Sequence, residues 1–99
     1  MTDIAQITEL WDVIVDRRLH PVEGSYVNAL LSHRKGIDKP LEKVGEEATE
    51  FILAVKNGEP GRIAEEAADL LFHLLVALNA ADVDLSLVLD ELASRRRSR

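Results

Sequence analysis

Apolar residues recur along this chain at helical spacing, and no stretch alternates as a half-buried strand would. Ile4, Ile7, Leu10 or Trp11, and Ile14 mark a first amphipathic helix, with Thr2 or Asp3 as its cap and Pro21 beyond its end. Ser25 can cap a short second helix through Leu31, and Gly36 closes it. Asp38 and Pro40 open a third, whose apolar side is Leu41, Val44, Ala48, Phe51, Ile52 and Val55, and Asn57-Gly58 ends it. Pro60 begins a fourth. Asp84 caps the last, where Val83 and Val88 have the spacing of a hydrophobic staple. The pattern predicts an all-α fold: one domain over residues 1–99, a small bundle of about five helices.

The fourth helix is the most apolar. From Ala67 to Ala81 only Asp69, His73 and Asn79 interrupt the run, so the helix is expected to be buried on nearly every side. With Ile63 at zero and about 100° per residue, Glu66, Asp69 and His73 fall near 300°, 240° and 280°. They form one narrow polar stripe. A stripe of this kind either pairs with Lys or Arg from another helix or holds a metal ion, because buried charges need a partner.

The third helix favours the metal. Glu47-x-x-Glu50 precedes Glu66-x-x-Asp69, and residues three apart share a helix face, so each motif presents two carboxylates to a common point. Like charges a few ångströms apart repel, and a hard divalent cation relieves that repulsion. Glu47, Glu50, Glu66 and Asp69 are therefore the candidate metal ligands. Glu46, Glu65 and His73 are candidates to support them from behind. Lys39 and Lys43, one turn apart, with Arg34 and Lys35 in the preceding loop, are candidates for holding phosphate; ordinary solvated lysines would show the same spacing.

Composition narrows the classes. The 99 residues are 46% hydrophobic, enough for one core, yet a chain this short gains from a second copy that covers its apolar helix faces, so a homodimer is expected. Cys is absent, which excludes disulfides and thiolate zinc sites and suits a reducing cytoplasm. The start, MTDIAQITELWD, lacks the basic region of a signal peptide, and the apolar run is too short and too polar to span a bilayer. Net charge is −6, but four of the twelve bases lie in the last five residues, leaving eight bases against eighteen acids in residues 1–94. Such a body argues against broad nucleic-acid binding, and the tail at residues 95–99 reads as a frayed, solvated helix end.

The phrases KVGEEATEFILAV (Lys43 to Val55) and EEAADLLFHLLVAL (Glu65 to Leu78), with GSYVNALL and RKGIDKPLEK ahead of them, resemble the phosphoribosyl-ATP pyrophosphohydrolase family of histidine biosynthesis. That family is similar to the all-α nucleoside triphosphate pyrophosphohydrolases, the MazG-like superfamily, and its Glu-x-x-Glu, gap, Glu-x-x-Asp pattern falls on Glu47, Glu50, Glu66 and Asp69. The likeness covers most of the chain in the family's order. It departs at Val27, where the family usually has Thr, and at Phe72, where Tyr is common. Without Cys or spare length, the chain resembles the stand-alone form and not the fusion with a cyclohydrolase.

The resemblance implies Mg²⁺-dependent hydrolysis of 1-(5-phosphoribosyl)-ATP between the α and β phosphates, giving 1-(5-phosphoribosyl)-AMP and pyrophosphate. Oxygen-only ligands suit Mg²⁺, and Glu47 or Glu50, on the less buried helix, is the candidate to activate water. Two other readings compete. One is a housekeeping pyrophosphohydrolase acting on a non-standard or deoxy nucleoside triphosphate. The other is a helical dimerisation module without catalysis. A di-iron bundle fits poorly, since that site wants Glu-x-x-His twice and His73 follows Asp69 by four.

Overall fold

The computed structural model describes residues 2–99 and is built of helices: α1 (Ala5–Leu19), α2 (Tyr26–Leu31), α3 (Asp38–Asn57), α4 (Pro60–Ala80), α5 (Leu85–Ser94), then a short 3₁₀ turn at Arg96–Ser98. No strand occurs among the described residues, and the all-α expectation holds. The boundaries follow local chemistry. Ser25 Oγ accepts the Asn28 N–H at 3.3 Å, and Asp84 accepts the Ser86 N–H at 3.0 Å, so each helix start has one of its unpaired donors satisfied. Asp3 accepts the Ala5 N–H at 2.8 Å, although Ile4 stands at the cap position itself. Pro60 sits in the first turn of α4, where its missing N–H costs nothing. Gly58, at φ 74°, turns the chain out of α3 while its N–H bonds the carbonyls of Ala54 and Val55.

Only Gly58 and Glu59 separate α3 from α4, and these two long helices form the most extensive helix pair of the molecule. The core lies elsewhere along α4. Trp11 and Ile14 of α1, Val27 and Leu30 of α2, Leu75 and Val76 of α4, and Leu85 of α5 pack together around the C-terminal half of that helix. Ile14 and Val76 are completely shielded from solvent, and burial of each side chain contributes about 1.5–3 kcal/mol. Val27 belongs to this core. Its side chain therefore serves packing, in the core that α1, α2, α4 and α5 share.

The expectation that α4 is buried on nearly every side needs correction. Leu71 and Leu74 are about half exposed, at 48% and 45%, because α1, α2 and α5 cover only the C-terminal half of the helix and α3 covers one side of the rest. On α3, Leu41, Ile52, Leu53 and Val55 are likewise exposed. Leu87, Val88, Leu89 and Leu92 of α5 extend the same condition to the end of the chain. No single helix is long and apolar enough to cross a membrane.

Polar ties set the placement of α2 on this frame. Asn28 Nδ2 donates to the Arg17 carbonyl at 2.7 Å, and Asn28 Oδ1 accepts the Val22 N–H at 2.9 Å, so one side chain of α2 ties the last turn of α1 to the loop that follows it. Arg18 donates to the backbone and side chain of Asn79 and pairs with Asp82 at 2.8 Å, which joins the end of α1 to the end of α4. These contacts bring Tyr26, at the start of α2, against α4. The basic tail is turned back on itself: Arg95 pairs with Glu91 at 3.0 Å, and Arg99 donates to the Leu92 carbonyl.

Candidate active site

The pairing of α3 with α4 brings Glu47, Glu66 and Asp69 together. One carboxylate oxygen from each lies within 4.8 Å of the other two, the spacing expected of ligands that share one ion. Their environments differ. Glu66 is buried at 5% exposure, Glu47 is partly buried and Asp69 is exposed. Three oxygen donors with no nitrogen or sulfur fit a hard cation such as Mg²⁺, whose remaining positions water or phosphate can fill. Glu50 lies outside this group of three. It makes no hydrogen bond or ion pair with the described residues and borders a cleft of about 350 Å³ together with Leu53, Ala54, Asn57, Glu59 and Arg62.

Two cations neutralise the acids. Lys43 Nζ bonds Glu46 at 2.9 Å and stands 3.5 Å from Glu47, one turn along the same helix. The hydrogen bond to Glu46 holds the Lys43 ammonium above the usual lysine range, opposed by the cost of burial, with the nearby Glu46 and Glu47 carboxylates contributing less in the same upward direction. Arg62 Nη2 bonds Glu66 at 2.6 Å while its Nη1 bonds Glu65 at 2.9 Å. Glu46 and Glu65 thus reach the acid group through the cations they hold. Lys35 and Lys39 converge instead on Glu42, at 2.9 and 3.9 Å, and Arg34 forms no ion pair among the described residues. Of the four basic candidates, Lys43 alone meets one of the three clustered carboxylates directly.

His73 supports Asp69 through the main chain. Its Nδ1 lies 2.7 Å from the Asp69 carbonyl, which can only accept, so Nδ1 carries the proton and donates. In the neutral ring Nε2 must then accept, and the Tyr26 hydroxyl donates to it at 2.9 Å. His73 is buried, and this pair of bonds leaves neither ring nitrogen unsatisfied. Tyr26 also stacks on Phe72, with ring centroids 5.9 Å apart and an interplanar angle of 20°, and half of Tyr26 remains exposed. Phe72 packs edge-on to His73, so the three rings form one wall beside the acids.

Arg62 was not among the residues that the sequence pattern singled out. Its spacing to Glu65 and Glu66, three and four residues along one helix, is the available signal. The Tyr26–His73 bond joins residues 47 apart and carries no such local mark.

Comparison with known proteins identifies the family. The phosphoribosyl-ATP pyrophosphohydrolase family profile matches residues 7–96. The chain is similar to a phosphoribosyl-ATP pyrophosphatase of Methanosphaerula palustris, 93% identical over the whole of both chains. It is 63% identical to the corresponding protein of Methanoculleus marisnigri, over 98% of this chain and all of that one. A third, from Methanoregula boonei, is 65% identical over 96% of this chain and 91% of its own. With a profile match over nearly its whole length and relatives this similar, the chain belongs to the phosphoribosyl-ATP pyrophosphohydrolase family.

Proposed function

We propose that this protein hydrolyses 1-(5-phosphoribosyl)-ATP to 1-(5-phosphoribosyl)-AMP and pyrophosphate, the second step of histidine biosynthesis, as a Mg²⁺-dependent phosphoribosyl-ATP diphosphatase. The observation that carries the chemistry is the convergence of Glu47, Glu66 and Asp69 in a chain whose relatives bear that enzyme's name. Glu47, Glu66 and Asp69 would hold Mg²⁺, which would supply positive charge to offset the negative charge that develops on the phosphates as the anhydride breaks. Water adds to phosphorus, the bridging oxygen leaves with pyrophosphate, and the proton lost by water passes to a carboxylate.

Glu50 is our choice for that carboxylate, with Glu47 as the alternative. Glu47 has Lys43 beside it and belongs to the acid group, whereas Glu50 has no partner among the described residues and borders a cleft. The position of Lys43 beside Glu46 and Glu47 supports its reading as a phosphate binder, since its three donors allow it to leave Glu46 for a more highly charged oxygen. Arg34 and Lys35 in the loop before α3, and Lys39 in its first turn, are the further candidates for holding phosphate.

The exposed apolar faces of α3, α4 and α5 support a homodimer. Leu41, Ile52, Leu53, Leu71 and Leu74 are each about half exposed, and a second copy would take these apolar side chains out of water. The acidic body and the absence of cysteine suit a cytoplasmic small-molecule enzyme that uses neither nucleic acid nor membrane as a partner. Incubation with phosphoribosyl-ATP and Mg²⁺, followed by separation of products, tests the reaction. Equimolar phosphoribosyl-AMP and pyrophosphate are expected, both abolished by chelator; release of single phosphate would overturn the assignment of the broken bond.

A further inference from the structure

Glu66 is the most buried of the three clustered carboxylates, and the cation it holds comes from its own helix one turn earlier. We infer that Arg62 is a built-in counterion that competes with the divalent cation for Glu66, so that Arg62 sets how tightly this site holds metal. The inference rests on the metal reading of the Glu47, Glu66 and Asp69 group.

The geometry is that of a cation poised to let go. Arg62 bridges two neighbouring acids, with Nη2 2.6 Å from Glu66 and Nη1 2.9 Å from Glu65, so its guanidinium can leave Glu66 and keep Glu65. The two partners are unequally held. The Glu66 side chain is 7% exposed, fixed on α4 and pointed at α3, whereas the Arg62 side chain is 51% exposed. Arg62 also lines the cleft of about 350 Å³ that it shares with Glu50 and Glu59, which offers a displaced guanidinium both room and further acid.

Electrostatics supplies the competition. A guanidinium and a divalent ion bound to one carboxylate are like charges within a few ångströms, and at a partly buried site that repulsion is only weakly screened. The same cation explains why three carboxylates can sit together before metal arrives. With Lys43 beside Glu47 and Arg62 on Glu66, two of the three charges already have partners. Metal-free protein is thereby stabilised, and metal affinity is correspondingly lowered.

Titration calorimetry of Mn²⁺ into the dialysed full-length chain tests this without any turnover. Arg62→Gln keeps an N–H donor for Glu66 and removes the charge. It is expected to bind Mn²⁺ about tenfold more tightly than the parent, within the usual range of coupling between two ligands. In chelator the variant should melt earlier, and Mn²⁺ should raise its melting temperature by more than it raises the parent's. Lys56→Gln, which removes an exposed cation near the end of the same helical hairpin, controls for net charge and should bind like the parent. Arg62→Lys retains the charge and should also bind like the parent; a tenfold change there, in either direction, would overturn the inference even if Arg62→Gln failed to fold. Unchanged or weaker binding by a folded Arg62→Gln would overturn it while leaving the metal site intact. Absence of Mn²⁺ binding by the parent would instead remove the metal reading itself.

Discussion

Asp69→Asn separates a metal site from a structural ion pair, because Asp69 is the one clustered carboxylate with no cation beside it among the described residues. Glu47 has Lys43 and Glu66 has Arg62, whereas the Asp69 side chain accepts no hydrogen bond from the described residues and only its backbone carbonyl is engaged, by His73. Its carboxylate oxygen lies within 4.8 Å of oxygens of both Glu47 and Glu66. At that separation each repulsion is worth about 0.9 kcal/mol in bulk water and about 3.5 kcal/mol at an effective dielectric constant of about 20. Asp69 is exposed, so the lower figure applies, and two such pairs give about 2 kcal/mol before the neighbouring cations offset part of it. A net gain of about 0.5–1 kcal/mol on removing the charge, or a melting temperature higher by up to about 5 °C, is the expected result in chelator. Activity should fall by orders of magnitude, and the rise in melting temperature on adding Mg²⁺ should shrink. Thermal melts of both proteins in chelator and in Mg²⁺ read the two stability quantities, and a pyrophosphate-release assay reads the activity. A clear loss of stability in chelator would refute the reasoning, since only a group that is holding a structural partner could cause it.

Lys43→Ala should lower kcat/KM by an amount equivalent to about 1.5–3 kcal/mol, the range for a charge-assisted hydrogen bond to phosphate; unchanged steady-state kinetics would return Lys43 to a surface role. Tyr26→Phe removes the donor to buried His73 Nε2 and should cost about 1–3 kcal/mol in urea unfolding, because the nitrogen is left without a partner. An unchanged denaturation midpoint would show that water replaces the hydroxyl there. Light scattering at micromolar concentration should give twice the mass of one chain, and a monomer would contradict the role assigned to the exposed faces of α3, α4 and α5.

Local chemistry made most of the helix boundaries legible. Ser25, Gly58, Pro60 and Asp84 act through hydrogen bonds and dihedral angles within a few residues of themselves, so their effects survive whatever the rest of the chain does. The acidic motifs were legible for the same reason, since spacing along a helix decides which side chains share a face. What lies beyond that range was not. Whether the polar stripe of α4 is buried depends on which helices cover it, and the single chain covers Glu66 and His73 but not Asp69. Glu50 shares a helix face with Glu47, yet one turn along α3 was enough to set it beside the Arg62 cleft and outside the group of three. The Tyr26–His73 bond and the Asn28 bonds to Arg17 and Val22 join residues from different elements, contacts with no signature at the level of spacing.

The family assignment concerns the chain, whereas the substrate is a claim about turnover, and a head-to-head assay tests it most directly. Pyrophosphate release in Mg²⁺ would be followed with phosphoribosyl-ATP, ATP and the deoxynucleoside triphosphates, each to saturation. Phosphoribosyl-ATP should show the highest kcat/KM; equal or faster turnover of a plain nucleoside triphosphate would contradict the assignment and make this a housekeeping pyrophosphohydrolase.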